Sequence, residues 1–526
     1  MKKIAFLLSI ILLAFPLASE SYIIKDFVFN IEAAGLKILG KTRQDAILKE
    51  YPIDRKKVFS SSEELEQYID NYKIKLESSR AFESILITHE ITTSDENDTN
   101  DVYLKIDLKD SHHMLAMPYP SYSSSNGLSL TLKAKDTNFL GTLSPMTADI
   151  KLKLKDGDIT PSFFISYNYP FKIKPFDVVF INEYELGYTV SDVLAGFNWK
   201  TKTGFTVSLP LDKITLIAGF TQLTTGNLLL KVYNDYPYFT ENFFVSSPIT
   251  ITELSNYTPL VYTPTVTYNW NWDFNGINIE DDGISSPEVV FSHSLTNSKL
   301  VWKNHFRTGY SINLTNSFTY NLQRNDFIPF VSFEAKGYWN YKANEQDYWD
   351  RYGICADFYT FAYFDLPINK YTYGIAIGER LRGIKDTEFF GNTRPLSTTS
   401  AAIMLSIDLP HHIFTTTFKK EILNFSLQFS PFFDMAFVYD RVQDRLFHPQ
   451  DGYYCAGLEI LVYPLKWSSI TIRGSLGIDL KNAVKSHNFL EAISSNKEIF
   501  ILYVQLLSIF CLQCVLIMLL KVLVFK

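Results

Sequence analysis

From Leu128 to Leu480 the chain alternates apolar and polar residues in run after run, and helical spacing nearly vanishes until the tail. Leu128, Leu130, Leu132 and Ala134 alternate with Ser129, Thr131, Lys133 and Lys135. The same period recurs at Tyr310, Ile312 and Leu314, at Phe318, Tyr320 and Leu322, at Leu423, Phe425, Leu427 and Phe429, and at Ile470, Ile472, Leu476, Ile478 and Leu480. A period of two gives each strand one apolar and one polar face. Two folds satisfy this. A transmembrane antiparallel β-barrel turns the apolar faces to lipid and encloses the polar ones. A soluble β-sandwich does the reverse.

Length and composition narrow the choice. The 526 residues suffice for one large domain and a small one. Aromatics are 15%, with 32 Tyr and 42 Phe, which suits the interfacial girdles of a membrane barrel. Lys2-Lys3, the apolar run Ile4–Phe15 and the segment Pro16-Leu17-Ala18-Ser19 read as a signal peptide over residues 1–19. Export favours the membrane alternative. A transmembrane strand takes roughly 9–11 residues, so the stretch from Asn126 to Ile501 predicts about 16 strands. Polar clusters at Glu280-Asp281-Asp282-Gly283 and Asn344-Glu345-Gln346-Asp347 are expected as loops.

Residues 22–111 follow another pattern. Tyr22–Ile31 predicts a strand, and Arg43–Tyr51 a short helix stopped by Pro52. Ser61 and Glu64 have capping-box spacing ahead of Leu65, Tyr68, Ile69, Tyr72 and Leu76 at helical period. Ser84–Thr92 and Val102–Lys109 predict two more strands. The expectation is a small β-α-α-β-β domain.

Several chemistries are excluded. The net charge of -7 and the lack of a basic stripe argue against nucleic acid. No P-loop, HExxH or Gly-x-Ser-x-Gly is present, so no enzyme and no cofactor is expected. His112-His113 and His411-His412 are adjacent pairs that point to opposite strand faces, a poor metal arrangement, and are read as structural or solvated. Of the four cysteines, Cys511 and Cys514 have CxxC spacing but sit in an apolar run without a second ligand pair, so no metal site is expected. Cys355 and Cys455 are left open as free or paired.

Two charges remain. Arg382 lies in the loop Leu381-Arg382-Gly383-Ile384, and Asp434 follows Phe432-Phe433 on an alternating strand. Enclosing either charge alone is costly, so the two are expected to pair. The loop, the strand motif and the turn Asn138-Phe139-Leu140-Gly141 together resemble the BamA/TamA superfamily of outer-membrane surface-antigen barrels. The N-terminal element order, with Gly40-Lys41-Thr42 and Arg80-Ala81-Phe82, resembles a single POTRA domain, the periplasmic module of that superfamily.

The resemblance implies that the sixth surface loop folds into the lumen, with Arg382 as its arginine, Gly383 allowing close approach, and Asp434 as partner. It places Asn138–Gly141 at the first barrel turn. A second acidic residue is expected where Ser406 stands, with Asp408 as its substitute on the same face; Ala436 replaces a customary glycine. The family inserts or translocates outer-membrane or secreted proteins. The implied partners are therefore outer-membrane lipid, unfolded clients taken up by the POTRA domain, and accessory lipoproteins. A two-partner-secretion transporter and a passive porin or adhesin are the alternatives. Family barrels close on a final strand, which Glu498-Ile499-Phe500-Ile501 begins here. Residues 499–520 are uncharged and long enough for a membrane helix. A damaged gene end is the expectation for the tail 502–526, against a genuine strand through Leu507 with a helical extension.

Overall fold

The computed structural model describes residues 21–34, 41–93, 99–123, 127–155, 158–190, 195–211, 213–227, 238–254, 258–273, 287–303, 305–323, 325–342, 351–364, 377, 380–382, 399–419, 424–440, 445–485 and 500–503. The signal segment, Gly383, the two acidic loop clusters and the tail beyond Tyr503, with Cys511 and Cys514, lie outside these residues. The chain divides into two compact units, one through His112 that also takes in Leu140–Leu143, and one from His113.

In the first unit the order is β1 (Ser21–Glu32), α1 (Gln44–Glu50), β2 (Val58–Phe59), α2 (Ser62–Ser79), β3 (Phe82–Thr93) and β4 (Thr99–Asp110). The expected elements are present, with β2 added. The sheet runs β2-β1-β4-β3, with β1 and β4 parallel and β3 and β4 antiparallel. Alternation in β4 buries Val102, Leu104, Ile106 and Leu108 against Leu65, Ile69, Tyr72 and Leu76 of α2. The α2 start is capped as its sequence predicts: Glu64 N–H donates to Ser61 Oγ at 3.2 Å. The return arm differs by one residue, because Glu64 Oε2 accepts from the Ser60 N–H and hydroxyl, each at 2.9 Å. Those two donors, foremost the Ser60 backbone, hold the Glu64 carboxyl below its ordinary value. Gly141 takes φ +72°, and a Cβ there would meet the Lys41 carbonyl oxygen at 2.2 Å, so the glycine of the N-F-L-G turn is required on steric grounds.

The second unit is a closed antiparallel barrel. Its strands are β5 (Met114–Ser123), β6 (Gly127–Asp136), β7 (Met146–Lys155), β8 (Asp158–Ile173), β9 (Phe176–Val190), β10 (Ala195–Pro210), β11 (Thr215–Asn227), β12 (Tyr238–Ser246) and β13 (Ile249–Leu254). There follow β14 (Thr258–Asp273), β15 (Glu288–Lys303), β16 (Phe306–Asn321), β17 (Asp326–Lys342), β18 (Arg351–Tyr363), β19 (Ala401–Asp408) and β20 (His411–Thr415). The ring ends with β21 (Phe425–Asp440), β22 (Arg445–Leu446), β23 (Tyr453–Pro464), β24 (Ile472–Asp479) and β25 (Phe500–Tyr503); a short helix, α3 (Leu480–Lys485), follows β24.

β12 and β13 share one place in the wall because Pro248 interrupts them, and both pair with β14. β19 and β20, interrupted at Pro410, share another place against β21. β22 is a side hairpin on the end of β21. Of the twenty-one strands the described wall therefore has eighteen separate places, not about sixteen. Tight turns such as Lys174-Pro175 leave more residues for the wall than the sequence estimate allowed. The wall also begins at Met114 rather than Asn126, because Pro118 and Pro120 erase the strand signal of β5. As a result the N-F-L-G turn joins the second and third staves, β6 and β7, not the first and second.

The faces decide between barrel and sandwich. Leu130 is 52% exposed and its neighbour Thr131 2%. Leu128, Leu132, Phe243, Val245, Ile312, Leu314 and Leu458 are likewise exposed, while Ser129, Gln428, Asp434 and Glu459 are buried. Apolar outside and polar inside is the arrangement lipid demands. Among the described residues no helix is long and apolar enough to cross a membrane.

Antiparallel neighbours alternate in direction. The end at which β5 begins therefore also carries the β6–β7, β15–β16 and β23–β24 turns, and the segment 364–400 leaves from the opposite end. The ring closes between β25 and β5. β25 pairs with β24 over four residues, Phe500 to Tyr503. The β23–β24 turn bridges to the start of β5: Trp467 Nε1 donates to the Met114 carbonyl at 2.9 Å, and Ser469 Oγ lies 2.7 Å from Thr137 Oγ1.

Leu130→Arg, on the lipid face, is expected to destabilise the barrel in liposomes by about 2–4 kcal/mol in denaturant titrations, where a soluble sheet with an exposed Leu130 would lose little. Ser61→Ala should cost the first unit about 1 kcal/mol, read as faster hydrogen exchange in α2. Because the folded Glu64 value is depressed, its contribution is complete above the unfolded carboxylate value. It disappears as pH falls through the folded value, so α2 protection should decline on acidification.

Candidate functional site

The site is assembled by strand register. Cross-strand partners form one rung, Lys336 (β17), Asp357 (β18), Ser406 (β19) and Asp434 (β21). The next rung toward the β5 end is Tyr338, Cys355, Asp408 and Phe432 on the same four strands. Residues two apart share a face, so Asp408, Asp434, Ser406 and Phe432 all present their side chains to the lumen.

Arg382 fills this arrangement. Its backbone N–H and its Nε both donate to Asp434 Oδ2 at 3.0 Å, and Nη2 donates to Asp434 Oδ1 at 2.6 Å. Nη2 also donates to Ser406 Oγ at 3.0 Å, and Nη1 donates to Asp408 Oδ1. The Ser406 hydroxyl in turn donates to Asp434 Oδ1. The guanidinium lies over the Phe432 ring, 3.8 Å from its centroid. A planar cation is thus bound edge-on by two carboxylates and face-on by an aromatic ring. The Asp434 side chain is 1% exposed and that of Asp408 26%, which makes Asp434 the more committed partner.

Arg382, Asp434 and Asp408, singled out in the sequence, are therefore brought together; Gly383 lies outside the described residues. Ser406 takes up part of the work of the acidic residue it replaces, by bonding both charged partners. Gly457 pairs with Phe432, and a Cβ there would come within 2.4 Å of the Phe432 ring. Its lack of a side chain makes room for the ring under Arg382.

Sequence reasoning missed the second arginine. Arg380 Nη2 donates to Glu334 Oε1 at 2.8 Å, and its Nη1 lies 3.6 Å from Asp357 Oδ1. It stacks on Tyr359 at 3.9 Å. Lys336 joins Glu334 at 3.0 Å and Asp357 at 3.5 Å. Between the arginines, Leu381 is buried with Ile377, Phe361, Ala402, Met404 and Ala436. Fully burying one leucine contributes about 2 kcal/mol, so the segment is held by apolar packing as well as charge. The signal for Arg380 was its place two residues before Arg382, with Glu334 and Asp357 both on lumen-facing positions.

Other residues resolve more simply. Cys355 and Cys455 are in no disulfide. His113 is buried with Nδ1 2.6 Å from Asp136 Oδ1, and His412 Nε2 lies 2.9 Å from Thr415 Oγ1. The node offers a tether for the loop segment.

A closed β-barrel with an apolar outer wall and a loop segment bound inside its lumen is the class of protein that this fold and site define. No protein-family model matches the chain, and no curated protein matches it by sequence. Solved structures similar to it include BamA from Haemophilus ducreyi lacking POTRA domains 1–3, at 14% identity and TM-score 0.36, covering 86% of this chain and 81% of that one. CdiB from Acinetobacter baumannii is similar at 10% identity and TM-score 0.41, covering 84% of this chain and 74% of that one. CdiB from Escherichia coli is similar at 10% identity and TM-score 0.41, with 88% and 76% covered.

Asp434→Asn is expected to destabilise the folded barrel by about 3–5 kcal/mol, since it leaves the Arg382 charge short of its enclosed partner. Asp408→Asn, at the more exposed partner, should cost less. The order is checked by the temperature at which each variant loses the anomalous gel mobility of a folded barrel.

Proposed function

We propose that the chain is an outer-membrane barrel of the BamA/TamA type that inserts other proteins into that membrane or passes them across it. The observation that carries the reading is the Arg382–Asp434–Asp408 node inside a barrel with an apolar exterior. It matches the lumen tether that the resemblance implies, with the same residues in contact. A passive wide pore has no need to bind a loop segment in its bore with two arginines.

The seam supports the same reading. β25 contributes four residues to it. On the other side, Pro118 and Pro120 lie in register with Leu132 and Leu130 of β6. A residue with no N–H can keep its place in an antiparallel ladder only at a non-hydrogen-bonded pair, where its nitrogen faces the other neighbour. Both missing donors therefore fall on the edge of β5 that faces β25. An edge of β5 with two donors missing is a place where a client strand could be templated, and thinning of the bilayer beside it would lower the barrier further.

The first unit is read as a POTRA domain in the periplasm, delivered there by the signal peptide. β3 stands at the end of its sheet, with β4 on one side. That edge suits an extended client taken up by strand addition, with hydrogen bonds from the main chain. Accessory lipoproteins would act at this unit. The role calls for no bond making or breaking and no cofactor.

Depletion of the protein from its cell is the test. Other outer-membrane barrels are expected to fall in abundance, and an Arg382→Ala copy to restore them poorly. Unchanged levels would overturn the assembly role. Loss of one secreted protein alone would assign the chain to dedicated two-partner secretion instead.

A further inference from the structure

We propose that the outer wall carries a binding site for a lipid headgroup with an ammonium group, built from Glu241 of β12 and Trp270 of β14. The inference rests on the lipid-facing barrel and not on what the barrel transports.

Strand register places the site. Gln222 of β11, Glu241 and Trp270 are direct cross-strand partners in one rung. Glu241 shares its strand face with Phe243 and Val245, both exposed on the apolar exterior. The residues between them face the lumen, where Asn242 donates to Asn269 at 2.6 Å and Ser246 accepts from Thr265 at 3.0 Å. Trp270 likewise shares its face with the exposed Val266. Glu241 is therefore a carboxylate on the side that meets lipid.

Its height on the wall is that of the headgroups. β14 runs to the end of the barrel opposite the β15–β16 turn, and Trp270 and Trp272 stand near its last residue, Asp273. At the same end, on the same outer face, Tyr188 lies near the close of β9, and Phe197 and Trp199 near the start of β10. Such a belt of rings marks the boundary between hydrocarbon and water.

The carboxylate lacks the partner that its position demands. Gln222 Nε2 donates to its Oε1 at 3.1 Å, and Trp272 Nε1 donates to its Oε2. Both donors are neutral. Among the described residues no Lys or Arg pairs with Glu241, whereas the enclosed Asp434, Glu459 and Asp451 each have an arginine. At 9% exposure Glu241 does not extend into water either. An ionised carboxylate withdrawn from water without a cation is costly. Its oxygens offer about four acceptor positions, and the two donors leave the others for a ligand.

The ring beside it selects the cation. Trp270, directly across from Glu241, is 46% exposed, with its ring centroid 6.3 Å from that of Trp272. An indole face attracts an ammonium group, more so where the group is desolvated. A carboxylate and an indole at headgroup height fit the ammonium of a zwitterionic phospholipid. An anionic headgroup with no amine is repelled by Glu241.

Native mass spectrometry of the purified full chain tests this, with equal amounts of phosphatidylethanolamine and phosphatidylglycerol of the same acyl chains. The parent protein is expected to retain phosphatidylethanolamine several-fold more than phosphatidylglycerol. N-acetylated phosphatidylethanolamine, which has no ammonium, should show no such preference. Glu241→Gln and Trp270→Leu, each first shown to run as a folded barrel on unboiled gels, should each abolish it. Trp199→Leu, in the same belt but on β10, should keep it. The proposal is overturned if the parent protein shows no preference, if the acetylated lipid is retained as well as the unmodified one, or if Glu241→Gln or Trp270→Leu keeps the full preference. Loss of the preference in Trp199→Leu would overturn it too, by assigning the effect to the belt as a whole. The comparison of lipids uses the unaltered chain, so a variant that fails to fold leaves it decisive. Lipid retention is read without any client, so this outcome is independent of the depletion result.

Discussion

Everything in the barrel follows from one constraint: in lipid, no water is available to satisfy a backbone N–H or carbonyl. The wall must close on itself, and each stave must find partners on both sides. The register shows this from β5 round to β25, including the two places where a proline breaks a stave. At Pro410 the gap is bridged, since the Gly353 N–H donates to the Pro410 carbonyl at 2.7 Å. The same constraint inverts the usual burial. Leu128, Leu130 and Leu132 face outward because the solvent there is hydrocarbon, and Ser129 and Thr131 are enclosed. At the seam the edge of β5 lacks two donors, at Pro118 and Pro120.

Inside, the cost of enclosing charge organises the rest. A guanidinium removed from water must recover its hydration energy from fixed partners, and Arg382 uses its backbone N–H and all three guanidinium nitrogens to do so. The partners come from one rung and its neighbour, so their spacing is set by the pleat and not by flexible loops. Leu381 packs between the two arginines. Pulling the segment free would expose its apolar side chain and strand two cations and several carboxylates at once. Such an anchor favours one position of the segment over others.

The legible and illegible parts of the sequence divide along physical lines. Period-two alternation announced strands and identified the inner strand β4 with nearly correct ends, while capping-box spacing and helical period did the same for α2. It could not place β5, whose prolines mask a strand that survives because its missing donors point to the seam. It undercounted the staves, since turn lengths are not written in the alternation. Asp434 and Asp408 were legible as partners of Arg382 because the motifs occur in family order. Arg380 was not, because Glu334 and Asp357 become its neighbours only through the pairing of β17 with β18. The contact between His305, in the β15–β16 hairpin, and Tyr463 of β23 was least legible of all, because it joins strands that are not neighbours in the wall.

The placement of the anchors around the ring has a consequence for how such a barrel could work. Arg380 and Arg382 join β17 and β18 to β19 and β21, and the hairpin joins β15 and β16 to β21 and β23. All these strands lie on one arc. The closing contact between β25 and β5 lies outside it. Parting the seam would therefore break neither anchor. Conversely, freeing the arginine segment breaks contacts to Phe432 and Asp434 on one face of β21 without disturbing the ladder at the seam. The lumen tether and the seam thus draw on separate sets of interactions in this fold.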